Sequence, residues 1–376
     1  MTAEGATLGI IINPVAGMGG SVGLKGTDGE DVLQEAWRRG ARPVAEQRAH
    51  VAVSRLTELA RPLRVLTGSG ESGEDVVRAA GLDVEVVHES APGPTTSADT
   101  RAAAEVMAAR SVDLLLFVGG DGTARDVLAA VGDAVPVLGV PAGVKMHSAV
   151  FGTSPSNTGH LAALFLAGSP AARLREAEVM DLDETAFRSD RLSARLYGYA
   201  RSPYERHLSQ NAKAGSGASG EASLRLAAQQ VAADMRPGNL YILGPGTSTR
   251  RVTDALGLPS TLLGVDAVMD GKTVGADLDE QALLEIMQGR QTWIVVGVLG
   301  GQGSLFGRGN QQISAEVIRR TGRDHIIVIS SLEKLVALDT AALHVDTGDA
   351  EVDAMLAGHV RIETGPNRST LFTVKA

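Results

Sequence analysis

Asp113-Leu114-Leu115-Leu116-Phe117-Val118-Gly119-Gly120-Asp121-Gly122-Thr123-Ala124-Arg125-Asp126-Val127 is the stretch on which the reading of the fold turns. Asp113–Val118 is a continuous rather than alternating apolar run, which suits a strand buried on both faces of a parallel sheet. The run ends in Gly119-Gly120-Asp121-Gly122-Thr123, and Ala124–Val131 then reads as a helix. Glycines at the carboxyl end of a parallel strand let the backbone approach phosphates. The following helix N-terminus supplies unpaired N–H groups and a partial positive charge. A carboxylate among those glycines has little packing value. Asp121 is placed to act as a general base on a hydroxyl, or to hold Mg²⁺ against a nucleotide. Thr123 can cap the helix or bond a phosphate oxygen. The bland alternative is a plain strand–turn–helix connection with Asp121 as turn former or N-cap.

Working outward, short β-branched runs alternate with Ala-rich stretches. Leu8–Ile12, Leu63–Leu66, Val84–Val87 and Val135–Val140 read as strands and Ser97–Arg110 as a helix. That alternation predicts a doubly wound α/β nucleotide-binding domain over residues 1–170. The second half reads as an α+β, sheet-rich domain over residues 171–324. Its strands are Arg191–Tyr199, Leu240–Leu243, Leu262–Val268 and Thr292–Leu299, interrupted by helices at Ser223–Met235 and Glu280–Gln288. Ala212–Ser219 reads as a mobile loop. His325–Ser330 is a buried-type strand that opens a C-terminal segment, 325–376, expected to return to the first domain.

Composition narrows the function classes. Of 376 residues 44% are hydrophobic and 21% charged, enough core to argue against global disorder. The net charge of −9 and the absence of a basic run oppose nucleic-acid binding. There is no cysteine, which excludes disulfides and thiolate chemistry and fits a reducing compartment. No leader-like segment and no long apolar stretch is visible, so a cytoplasmic protein without a membrane partner is expected.

Other phosphate motifs fail. Neither Lys25 nor Lys145 stands in a Walker A context, and Gly17–Gly23 lacks G-x-G-x-x-G spacing. Gly17, Gly19 and Gly20 nevertheless follow the first strand, as a second loop at the same sheet edge or as a flexible crossover. Lys145 and His147 follow a buried strand and a Pro-Ala-Gly turn, and are suited to a pyrophosphate or, alternatively, to a solvated Lys and a hydrogen-bonded His. Gly300–Gln312 is dense in glycines and amides, with Gln302 and Asn310 as polar contacts and Arg308 suited to a phosphate, unless the loop is a structural turn network. Arg125 is either a phosphate contact or a surface charge. Asp346-Thr347-Gly348-Asp349 reads as a solvated acidic turn, with a metal role as the alternative. The histidines show no zinc-like pairing.

Taken together, Ile11–Gly17, Gly119–Asp126, Gly139–Ser148, Gly244-Pro245-Gly246-Thr247-Ser248-Thr249 and Gly300–Ser314 resemble, in order, the motifs of the NAD kinase superfamily, and more closely the AcoX-like branch of ATP-NAD kinase-like proteins. The resemblance implies transfer of the γ-phosphoryl group of ATP, or of polyphosphate, to the 2′-hydroxyl of the adenosine ribose of NAD(H). Mg²⁺ would be carried on the ATP and Asp121 would be the general base. It also implies nucleotide and phosphate contacts at Asn13, Gly17, Gly119, Gly120, Gly122, Thr123, Arg125, Lys145, His147, Gly246, Thr247, Ser248, Thr249, Gln302, Arg308 and Asn310. A homo-oligomer is expected. The chain departs from ordinary NAD kinases at Gly244–Thr249, which lacks the first Thr and the Ala-Tyr end of their T-P-T-G-S-T-A-Y segment. Rival readings are a lipid- or sphingoid-type kinase, whose mark would be a hydrophobic acceptor tunnel, and a dinucleotide sensor without turnover.

Overall fold

The structure is a computed structural model and describes residues 5–24, 29–59, 61–90, 95–144, 146–182, 194–209, 218–299, 303–338 and 341–376. Five parallel strands form the first sheet: β1 (Ala6–Ile12), β2 (Leu63–Gly68), β3 (Val84–His88), β4 (Leu114–Gly119) and β5 (Val137–Pro141). Their order is β3-β2-β1-β4-β5. Every residue of β4 and β5 is buried, as the unbroken apolar run demanded. Helices Ala45–Ser54 and Pro155–Leu166 cover one face around Leu114, Leu116 and Leu138. Helices Ser97–Ala109 and Asp121–Val131 cover the other around Leu115, Phe117 and Val137. A capping box fixes where Ser97–Ala109 starts, with the Asp99 carboxylate accepting from the Thr96 amide at 2.8 Å.

The strand order reverses direction between β1 and β4, and the loops leaving these two neighbours carry Asn13 and Asp121. Open α/β sheets bind ligands outside the carboxyl ends of their strands at such a switch point.

The first unit does not end at residue 170. An antiparallel pair, β6 (Arg173–Leu182) and β7 (Ala194–Tyr204), packs Ala177, Val179 and Ala200 into the same core as Phe117, Val127 and Val131. The helix after Gly120 is apolar over more of its surface than the sheet covers, and the hairpin closes the remainder. Residues 191–193 of the expected strand and 212–217 of the expected mobile loop lie outside the described residues, while Ala218–Ala233 is helical.

The second unit is a nine-stranded mixed sheet. Its strands are β8 (Leu240–Leu243), β9 (Asp266–Met269), β10 (Lys272–Gly275), β11 (Thr292–Gly297), β12 (Ser304–Phe306), β13 (Ile326–Ile329), β14 (Ala342–Val345), β15 (Gly358–Gly365) and β16 (Arg368–Lys375). They run in the order β10-β9-β8-β11-β13-β15-β16-β14-β12. The C-terminal segment thus joins this sheet rather than returning to the first. β13 pairs in parallel with β11 through Ile294↔Ile326 to Gly297↔Ile329, burying Val328 and Ile329. The β5 edge of the first sheet offers no place for it, because Gly139 exchanges backbone hydrogen bonds with Val150 and Gly152 there. Ala376 nonetheless lines a cavity together with Gly17, Ala142 and Gly143 of the first unit. No helix among the described residues is long and apolar enough to cross a membrane.

His344, in β14, carries a pH dependence of stability. Burial, followed by the positive charges of Arg308, Lys375 and His207, pushes its pKa from 6.5 down to about 4. Between these values the unfolded chain binds a proton that the folded chain refuses, so stability rises with pH across the window and is lost on acidification through it. The contribution is on the order of 3 kcal/mol. Urea midpoints measured from pH 7 down to pH 4 should fall steeply in the wild type and less in His344→Gln; equal slopes would exclude His344 as the source.

Candidate functional site

The site begins with the turn after β4. Gly120 is extended, and Asp121 is the first residue of the helix, so its carboxylate sits at the positive end of the helix dipole. Asp121 is buried at 7% exposure. Its Oδ2 accepts the backbone N–H of His147 at 2.7 Å and its Oδ1 that of Ser148 at 3.0 Å. The Asp121 of the sequence reading is therefore held in one orientation by a loop at the end of the neighbouring strand.

The glycines are fixed by contact. A Cβ on Gly119 would lie 2.3 Å from Thr123 Oγ1, and one on Gly143 would lie 2.7 Å from the Gly120 Cα. The Gly119 carbonyl accepts N–H groups from both Ala142 and Gly143, which brings the two turns together. Gly17 has φ +77°, and a Cβ there would stand 1.9 Å from the Ala142 carbonyl oxygen. Asn13 links the β1 loop to the β4 loop, with its amide nitrogen donating to Thr123 Oγ1 at 3.1 Å and its backbone N–H to the Val118 carbonyl at 3.0 Å. The structure thus brings together Asn13, Gly17, Gly119, Gly120, Gly122, Thr123 and His147 around Asp121.

A cavity of about 560 Å³ lies at the seam of the two units, beside this cradle. Gly17, Ala142 and Gly143 form its floor, while Gly307, Gln311, Asp346 and Thr347 face them from the second unit. Two helices begin at its wall, Ala45–Ser54 with Arg48 and Pro155–Leu166 with Ser154 and Asn157, so their positive ends favour an anion inside. Gln311 spans the seam, donating to the Val144 carbonyl at 2.6 Å, and its Oε1 is buried without a hydrogen-bond partner among the described residues.

Several expectations take a different form. Asp346 is not in a solvated turn: it is 8% exposed and pairs with Arg48 across the seam at 2.7 Å. Burial pushes its pKa up, against the pull of Arg48 and Arg308. Arg308 is buried, and its Nη2 donates to the carbonyls of Gly152 at 3.0 Å and Thr153 at 2.7 Å. Burial pushes its pKa down to about 10, which leaves the guanidinium charged at neutral pH. Asn310 closes its own loop, accepting the Gly307 N–H and donating to the Leu305 carbonyl. Arg125 stands 3.7 Å from Asp126 on the helix flank. Gly246, Thr247 and Ser248 start the helix Thr247–Leu256 and line a separate cavity of about 100 Å³ with Arg308 and Asn310, while Thr249 bonds back to the Gly246 carbonyl. Lys145 and Gln302 lie outside the described residues.

Arg48 and Asn157 had no motif to announce them, whereas Gln311 belongs to the amide-dense Gly300–Gln312 loop. The signal for Arg48 and Asn157 is a polar side chain on a helix that otherwise faces the core. No group of three or more His, Asp or Glu side chains able to hold a metal forms among the described residues.

Comparison with protein families agrees with this geometry. Residues 8–169 match the ATP-NAD kinase N-terminal domain and residues 238–374 the ATP-NAD kinase C-terminal domain. No curated protein and no solved structure matches the chain. With both halves of the two-domain enzyme matched in order, and the Gly-rich loop placed at the switch point of the first sheet, the chain belongs to the ATP-NAD kinase family and is an NAD kinase-like phosphotransferase.

Proposed function

We propose that this kinase transfers the γ-phosphoryl group of ATP to the 2′-hydroxyl of the adenosine ribose of NAD or NADH, giving NADP or NADPH. The observation that carries the proposal is the Asp121 carboxylate, clamped by the His147 and Ser148 amides beside the seam cavity. Phosphoryl transfer needs positioning and charge neutralisation more than covalent help from the protein. Loop amides and helix N-termini supply both, and Mg²⁺ arriving with ATP would neutralise phosphate charge. Removal of the hydroxyl proton depends on the carboxylate of Asp121.

The hydrogen-bonding groups of the cavity support a dinucleotide acceptor. The cavity volume is in the usual range for small-molecule sites. Gln47, Arg48, Asn157, Gln311 and Asp353 line it among apolar Val44, Val51, Pro155, Ile313 and Val345, a mixed wall that offers a ligand both hydrogen bonds and apolar contact. A ligand with two riboses and a pyrophosphate can use that many hydrogen-bonding groups.

The test is turnover of purified protein with ATP and Mg²⁺, or polyphosphate in a second arm, against a panel of hydroxyl acceptors. NAD or NADH should be phosphorylated, and 2′-deoxy-NAD should bind with similar affinity yet give no product. The acceptor assignment fails if no dinucleotide binds at millimolar concentration while another alcohol is phosphorylated.

A further inference from the structure

His147 contributes more to the site than its backbone amide. Its side chain is buried beside Asp121, with Nδ1 3.6 Å from Asp121 Oδ2. That nitrogen is enclosed and has no hydrogen-bond partner among the described residues. Leaving a buried polar nitrogen unpaired costs roughly 1–3 kcal/mol, a cost that a shift of a few tenths of an ångström toward Asp121 would remove. Hydrogen bonds of a catalytic group are often long before substrate binds and tighten in the reacting complex.

The facing atoms define roles. Asp121 already accepts one amide N–H on each oxygen and still has lone pairs free, as an orienting carboxylate does. A carboxylate opposite Nδ1 selects the tautomer with the proton on Nδ1, which leaves the lone pair on Nε2. The imidazole is then a base whose Nε2 lone pair lies across the ring from the nitrogen that faces the carboxylate. Carboxylate, imidazole and hydroxyl in this order are the constellation that activates hydroxyls in nucleophilic catalysis.

We propose that His147 Nε2 takes the proton of the acceptor hydroxyl, with Asp121 as the group that orients and charge-balances the imidazole. This rests on the phosphotransfer reading and deepens it. As the acceptor O–H bond breaks, its oxygen forms the new bond to the γ-phosphorus. The bond between that phosphorus and the β–γ bridging oxygen breaks, and ADP leaves with those electrons. The proton resides on Nε2, the Nδ1 proton stays shared with Asp121, and the imidazolium returns its proton to solvent after product leaves.

The test is His147→Ala, assayed on whichever alcohol the wild type phosphorylates, so that an error in the acceptor and an error in this inference are read separately. The substitution keeps both backbone N–H groups that clamp Asp121. The expected result is a fall in kcat of at least ~100-fold with KM for the acceptor changed much less, and partial recovery when free imidazole is added. His147→Gln fills the space without a base, and should be as slow as the Ala variant. Wild-type turnover in either variant overturns the proposal. A loss of turnover that imidazole does not repair also overturns it, and makes His147 a structural neighbour of Asp121.

Discussion

Asp121→Asn is expected to lower turnover by at least ~100-fold while the protein still folds and still binds nucleotide. The carboxylate is needed whether it takes the hydroxyl proton itself or holds the imidazole that does. Asn retains one oxygen, but its NH₂ must face one of the two N–H groups, of His147 or Ser148, that now donate to the carboxylate. One donor then meets another, and a modest loss of stability, roughly 1–2 kcal/mol, should accompany the catalytic defect. Steady-state kinetics, a denaturation curve and ATP binding measured on the same preparation separate the two effects. An unchanged kcat would remove Asp121 from the mechanism, and a variant that neither melts cooperatively nor binds ATP would show that the carboxylate is needed for the fold.

Arg308→Met should be the most destabilising of the conservative changes at the seam, by about 3 kcal/mol. Methionine keeps much of the stem volume and loses the guanidinium. The carbonyls of Gly152 and Thr153 would lose a buried donor, and Asp346 and Asp121 would lose the positive charge that each feels from Arg308. Arg308→Lys should recover only part of the loss, since a compact ammonium does not reproduce the planar fork. Calorimetric melting is the measurement, because the side chain of one unit here secures the backbone of the other. A melting temperature equal to that of the wild type, combined with weakened binding of ATP or NAD, would instead make Arg308 the phosphate ligand that its sequence context suggested.

Much of the fold was legible in the chain because it depends on local pattern. The unbroken run Leu114–Val118 announced a strand covered on both faces, and β4 is buried at every residue. The same holds for Leu240–Leu243, which is a strand at those bounds. The turn chemistry at Gly119–Thr123 was equally local: tight backbone approach and a helix start are written in adjacent residues, and only the depth of burial of Asp121 had to come from the structure. Where the pattern was local but its partner was distant, the reading went astray. His325–Ser330 was correctly an apolar strand, yet nothing in those residues says which sheet edge is open to receive it, and the answer lay in the β5 edge already satisfied by Val150 and Gly152. The β6–β7 pair likewise went to the first unit because a helix face there was still uncovered.

The chemistry divides in the same way. By itself the sequence determined a Gly-rich strand-to-helix turn with one carboxylate, and a chain whose two halves follow the order of an ATP-NAD kinase. Only the tertiary structure decided the use of the charged and polar residues that meet across the seam. Arg48 and Asp346 are 298 positions apart and form one partly buried ion pair. Arg308 donates through Nη2 to two backbone carbonyls of the other unit, and His147 lies beside Asp121 with Nδ1 unpaired among the described residues. The physical reason is that strand and helix propensity act over a few residues, whereas the role of a buried charge depends on what is opposite it in space. That neighbour is chosen by packing, which no local stretch of sequence encodes.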